Sequence, residues 1–106
     1  MRIGNAGRIL GALLFAFAAG SARAEVIHIK MQNVGYAPAQ IAAHVGDTVE
    51  WENLDIVAHT ASARNKAWDV MILPNTKKSV VLKTAGTIEY YCKFHPNMTG
   101  QISVSE

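Results

Sequence analysis

Beyond the first two dozen residues, apolar and polar positions alternate with the two-residue period of half-buried strands. Val26–Met31 sets Ile27, Ile29 and Met31 on one face and Val26, His28 and Lys30 on the other. A turn-prone Gly35-Tyr36-Ala37-Pro38 leads to a strand over Gln40–Val45, and Gly46-Asp47 breaks it. Thr48–Glu52 follows with Val49 and Trp51 inward. Residues 53–66 read as polar and irregular. Trp68–Leu73 is short and apolar, ending at Pro74-Asn75, and Lys77-Lys78 reads as a solvated turn. Ser79–Lys83 turns Val80 and Leu82 inward. Beyond Ala85-Gly86, Thr87–Cys92 places Ile88, Tyr90 and Cys92 on one face, and Gly100–Ser105 closes the chain with Ile102 and Val104 inward. Short strands between turn signals at this spacing predict an all-β sandwich or barrel. Tyr36, Trp51 and Tyr90 are expected in the core, with Met31 and Met71 as packing. His28 and His44 fall on polar faces, exposed.

The first 24 residues follow another logic. Arg2 and Arg8 precede an apolar run over Ile9–Ala19, and Ala22-Arg23-Ala24 has the small-x-small form of a cleavage site. The run is short for a membrane span. A secretory signal peptide over residues 1–24 is therefore expected, with a single domain over residues 25–106, export to the periplasm, and no membrane association after cleavage. Three of the ten basic residues leave with the signal. Seven then face eight acids, a net charge of −1. No basic stripe remains for nucleic acid.

Export makes the single cysteine informative. Cys92 has no intramolecular disulfide partner, and a free thiol in an oxidising compartment needs protection. Complete burial is one form of protection and metal ligation another. Cys92-Lys-Phe-His95-Pro-Asn-Met98 offers a thiolate, an imidazole and a thioether within seven residues. His59, 33 positions before the cysteine, offers a second imidazole. Two His, one Cys and a weak Met form the ligand set of a blue-copper electron-transfer site: the sulfurs favour Cu(I), and imidazole suits both oxidation states. Other centres fit less well. Cys-x-x-Cys-His of c-type haem attachment is absent, one thiolate is too few for an iron–sulfur cluster, and zinc on His59, Cys92 and His95 would take a thioether only as an unusual fourth ligand.

Val26 to Val104 resembles the cupredoxin family. The segments that carry the likeness are Tyr36-Ala-Pro38, Val45-Gly-Asp-Thr-Val-Glu-Trp51, Asn53-Leu-Asp55 leading to His59-Thr60, and Ala85-Gly-Thr-Ile-Glu-Tyr-Tyr-Cys92. The short loop with Pro96 after His95 and Met98 three positions on is most similar to the amicyanin branch. The resemblance implies a Greek-key β-sandwich with copper at one end. It implies His59, Cys92 and His95 as equatorial ligands and Met98 as the axial one, and one Cu(2+)/Cu(+) per chain. It further implies a monomer shuttling single electrons between redox partner proteins, a donor dehydrogenase and an acceptor cytochrome or oxidase, with His95 as the exit. Thr60 stands where relatives often carry an Asn that helps pin the cysteine. A copper-binding protein for trafficking or tolerance would use the same ligands. An enzyme of the multicopper oxidase kind would place His on both sides of the cysteine, where this chain has Tyr91 and Lys93. No catalytic residues are expected.

Overall fold

The computed structural model describes residues 23–106, so nearly all of the expected signal peptide lies outside the described residues. These residues form β1 (Val26–Met31), β2 (Tyr36–Ala37), β3 (Gln40–His44), β4 (Thr48–Asn53), β5 (His59–Ala63), β6 (Asp69–Ile72), β7 (Lys77–Val81), β8 (Gly86–Tyr91) and β9 (Thr99–Ser105). They make two sheets, ordered β2-β1-β4-β7 and β3-β9-β8-β5-β6. The β1–β4 and β3–β9 pairs are parallel, and the remaining pairs are antiparallel. The expected all-β Greek-key sandwich is the fold observed.

Alternation along each strand explains which side faces inward. Ile29 and Met31 of β1, Val49 and Trp51 of β4, Ile88 and Tyr90 of β8, and Ile102 and Val104 of β9 are all buried. Their hydrocarbon faces leave water between the sheets, the main favourable contribution to a small sandwich. Aromatic rings fill the middle. Tyr90 lies 4.5 Å from Tyr36, 5.4 Å from Trp68 and 5.6 Å from Trp51, centroid to centroid. Gly100, opposite Tyr90 in the β8–β9 register, makes room for that ring. Burial pushes the Tyr90 hydroxyl up to about 12, although the bond from Trp51 Nε1 works against the shift.

Three local expectations change. The stretch read as irregular contains β5, because this strand sits inside its sheet between β6 and β8 and is buried on both faces. Its His-Thr-Ala-Ser-Ala sequence has neither alternation nor bulk to announce it. Lys77-Lys78 opens edge strand β7 opposite Glu52 and Trp51 rather than forming a turn. Lysines suit that position, since charge on an open edge discourages pairing with another chain. Met71 is half-exposed on edge strand β6 rather than packed, whereas Met31 is fully buried.

Candidate metal centre

The centre gathers side chains from one end of β5 and from the loop joining β8 to β9. Asn53, fully buried at the end of β4, organises the approach to β5. Its Nδ2 donates to the Val57 carbonyl at 2.8 Å and the Ile72 carbonyl at 2.9 Å, and its Oδ1 accepts from the Asp55 amide at 2.9 Å. This Asx turn projects Asp55 back toward β5. The Asp55 carboxylate then meets His59 Nε2 at 2.8 Å. It also accepts from the amides of Asn33 at 2.8 Å and Val34 at 2.9 Å. Those two residues have φ near +56° in the β1–β2 turn, costly for a β-branched valine, and the carboxylate ties that turn to the histidine. Desolvation alone would raise the Asp55 carboxyl. The Val34 amide, His59 and the Asn33 amide outweigh it and hold the group below the usual carboxylate range.

The bond to Asp55 fixes the use of each ring nitrogen. His59 Nε2–H donates to the carboxylate, so Nδ1 keeps its lone pair and faces the cavity. His59 itself is fully buried.

The second wall is a tightly folded loop. The Cys92 amide donates to the Met98 carbonyl at 3.0 Å, closing a seven-residue circuit. Within it the His95 amide bonds the Cys92 carbonyl at 3.3 Å, and the Met98 amide bonds the His95 carbonyl at 2.8 Å. These are two successive β-turns, and Pro96 occupies the second position of the latter, where its fixed φ is favoured. Cys92, facing inward like Ile88 and Tyr90, is fully buried; Met98 is buried as well, and His95 is half-buried.

Three donor atoms converge. Cys92 Sγ lies 3.7 Å from His59 Nδ1 and 3.7 Å from His95 Nδ1, and the ligand atoms of the three residues all lie within 4.8 Å of one another. A metal–thiolate bond of about 2.3 Å and a metal–imidazole bond of about 2.0 Å span about 3.7 Å when opened to roughly 115–120°. Both sulfur–nitrogen separations therefore fit a near-trigonal ion. The Thr60 amide also points at Cys92 Sγ from 3.3 Å, a donor for a sulfur carrying negative charge. The Thr60 hydroxyl accepts from the Lys93 amide at 2.9 Å. Of the four ligands the sequence names, the fold brings His59, Cys92 and His95 together, and Met98 is buried where the same loop ends. Asp55, in the Asn53-Leu-Asp55 segment, is a further functional residue that no motif announces. A carboxylate four positions before a histidine was the available signal, but only the folded loop turns the two groups toward each other.

Fold and donor set together define a class. The chain belongs to the family described as "Cupredoxin-like domain", which matches residues 7–104. Within it the chain is similar to the amicyanins. It is 30% identical to amicyanin of Paracoccus denitrificans over 94 residues, covering 83% of this chain and 72% of that protein. It is 22% identical to amicyanin of Paracoccus versutus over 93 residues, 82% and 70% of the two chains. Among solved structures, a purple cupredoxin from Nitrosopumilus maritimus superposes with a TM-score of 0.68 at 26% identity, over 74% of this chain and 99% of that one. The Cu(I) form of a singly substituted amicyanin gives 0.68 at 26% identity, over 83% and 89%.

Proposed function

We propose that this chain is a periplasmic type 1 copper protein, residues 25–106 after loss of a signal peptide, that carries single electrons between partner proteins. The observation that carries this reading is the pair of imidazole nitrogens, each 3.7 Å from a buried cysteine sulfur. Likeness to an amicyanin solved in its Cu(I) form supports copper as the metal. His59, Cys92 and His95 would hold it, with Met98, buried at the end of the same loop, as a weak fourth ligand. Bound copper would supply a reversible one-electron store at this site.

The remaining work falls to the chain. Asp55 holds His59 in the tautomer that frees Nδ1. The paired turns of the loop keep Cys92, His95 and Met98 at one relative placement, so ligand positions need not change with charge. His95, the half-buried member, gives an electron the shortest way out. Apolar side chains in the two ligand-bearing segments, Ile56, Val57 and Phe94, are substantially exposed, as is Met71 on β6. With Ala58 and Pro96 they suit transient docking by a donor and an acceptor, a dehydrogenase and a cytochrome or oxidase by family likeness. The carrier acts as a monomer and has no catalytic residue.

Titration of the purified mature chain with Cu(II), followed by visible and EPR spectroscopy, tests the reading. One equivalent should produce an intense sulfur-to-copper charge-transfer band. Cys92→Ser should abolish it, and Met98→Ala should keep colour while changing the potential. A colourless Cu(II) complex of the unsubstituted chain would refute the reading. Rapid electron exchange between oxidised and reduced protein separates a carrier from a copper-delivery protein using the same ligands.

A further inference from the structure

Beside the metal centre, on the outer face of β5, runs a closed ring of hydrogen bonds. Antiparallel β5 and β8 pair Ala63 with Tyr90 and Ser62 with Tyr91, and the ladder stops there. Continued, it would set Thr60 opposite Lys93. Side-chain atoms take over instead. The Lys93 amide donates to Thr60 Oγ1 at 2.9 Å, Thr60 Oγ1 lies 2.9 Å from Ser62 Oγ, and Ser62 Oγ donates to Asp69 Oδ1 at 2.7 Å. The other oxygen of Asp69 is paired with Lys93 Nζ, so the circuit begins and ends on the residue after Cys92.

The proton order in the ring is determined. Ser62 has one hydroxyl hydrogen, and the carboxylate can only accept it. Ser62 Oγ must therefore accept from Thr60, and Thr60 Oγ1 in turn accepts from the Lys93 amide. These three bonds all point toward the carboxylate, each strengthening the one before it, and the Lys93 ammonium donates to the same anion from the other side. Thr60 and Ser62 are both buried, where unpaired hydroxyls would be costly. Thr60 is also the residue whose amide points at Cys92 Sγ. Two opposed bonds thus join Thr60 to the Cys92-Lys93 step: amide to sulfur in one direction, amide to hydroxyl in the other.

We infer that Ser62, Asp69 and the Lys93 side chain are positioning residues for the cysteine sulfur: through the Thr60 hydroxyl they hold the Thr60 amide on Cys92 Sγ and so tune the affinity of the site for an electron. This rests on the copper reading above. An amide donating to the thiolate draws density from the sulfur and weakens its donation to the oxidised ion, which favours the reduced form. Loosening the ring should lower the reduction potential.

The test uses Ser62→Ala, Thr60→Val, Thr60→Ser and Asp69→Asn in the full domain. In metal-free protein, NMR hydrogen exchange of the Lys93 and Thr60 amides reads the ring directly. Ser62→Ala and Thr60→Val should speed exchange of both by about tenfold or more relative to amides of β1 and β4, while Thr60→Ser keeps wild-type protection. In copper-loaded protein the same two variants should shift the sulfur-to-copper band and lower the potential. A tenfold change in the ratio of reduced to oxidised protein corresponds to about 59 mV for one electron. Asp69→Asn, at the exposed end of the ring, should show the same changes in smaller measure, and it decides the matter if the buried variants do not fold. Unchanged exchange and potential in the folded variants overturn the inference. Faster exchange with an unaltered potential also overturns it, leaving the ring as a brace only. If the unsubstituted chain forms no blue centre, the copper reading fails, and the exchange measurement still decides whether the ring holds the Cys92-Lys93 step.

Discussion

Replacing Asp55 with alanine probes how far the site is prebuilt. The change removes three hydrogen bonds at once, to His59 Nε2 and to the Asn33 and Val34 amides. The amides lie in an exposed turn and regain water, so their loss costs little beyond the charge assistance of the carboxylate. The imidazole N–H cannot recover in this way, because His59 is fully buried. Leaving a buried donor unpaired costs about 1–3 kcal/mol, and the turn adds about 1 kcal/mol by the same reasoning. The metal-free domain should then lose about 2–4 kcal/mol in urea unfolding, or roughly 10–30 °C in Tm at this domain size. Metal affinity should fall as well, because an unanchored ring samples the wrong tautomer and orientation. Loss of such an outer partner typically costs about ten- to a hundredfold in affinity. Competition against a chelator of known copper affinity measures that loss. Asp55→Asn, which keeps one acceptor oxygen, should recover part of both effects. Copper affinity within about twofold of wild type in Asp55→Ala, with stability within about 0.5 kcal/mol, would refute the argument that this carboxylate orients the ligand.

Gly100→Ala tests the aromatic centre. A Cβ there would sit 2.5 Å from Tyr90 Oη and 2.6 Å from its Cε1, while Tyr36, Trp51 and Trp68 hem that ring in. Overpacking of this kind costs about 1–3 kcal/mol or more; a denaturation midpoint equal to wild type would show that the ring can move aside. Acid should destabilise the metal-free domain. Lys93 and then Ser62 hold the Asp69 carboxyl below its ordinary range, the amides of Glu25 and His44 do so for Asp47, and Asp55 is lowered as described. Groups depressed by folding contribute fully above the unfolded carboxylate value near about 4 and lose that contribution as pH falls through their folded values. Urea midpoints should therefore hold steady from neutral pH to about 5 and drop below about 4; a midpoint unchanged down to about pH 3 would contradict the shifts.

Much of this molecule is legible along the chain because a two-residue period carries its own geometry. Alternation in β1, β4, β8 and β9 decides which side chains face inward, and the same period turns Cys92 inward at the end of β8. Proximity in sequence brings His95 near that sulfur, and Pro96 favours the turn that folds the loop back so that the Met98 carbonyl meets the Cys92 amide. His59 was nameable from its residue type and the arithmetic of ligands, but its strand was not. β5 is buried on both faces, so alternation, which records a contrast between water and core, disappears from it. Contacts across distant segments left still less trace. Asp55 acquires its role because Asn53 bends the loop, and Ser62 and Asp69 meet Lys93 only once β6 and β8 flank β5. A carboxylate, a serine and a lysine scattered over 31 positions carry no periodic signal. They become a hydrogen-bonded ring because the sheet sets their spacing and burial makes an unpaired hydroxyl costly.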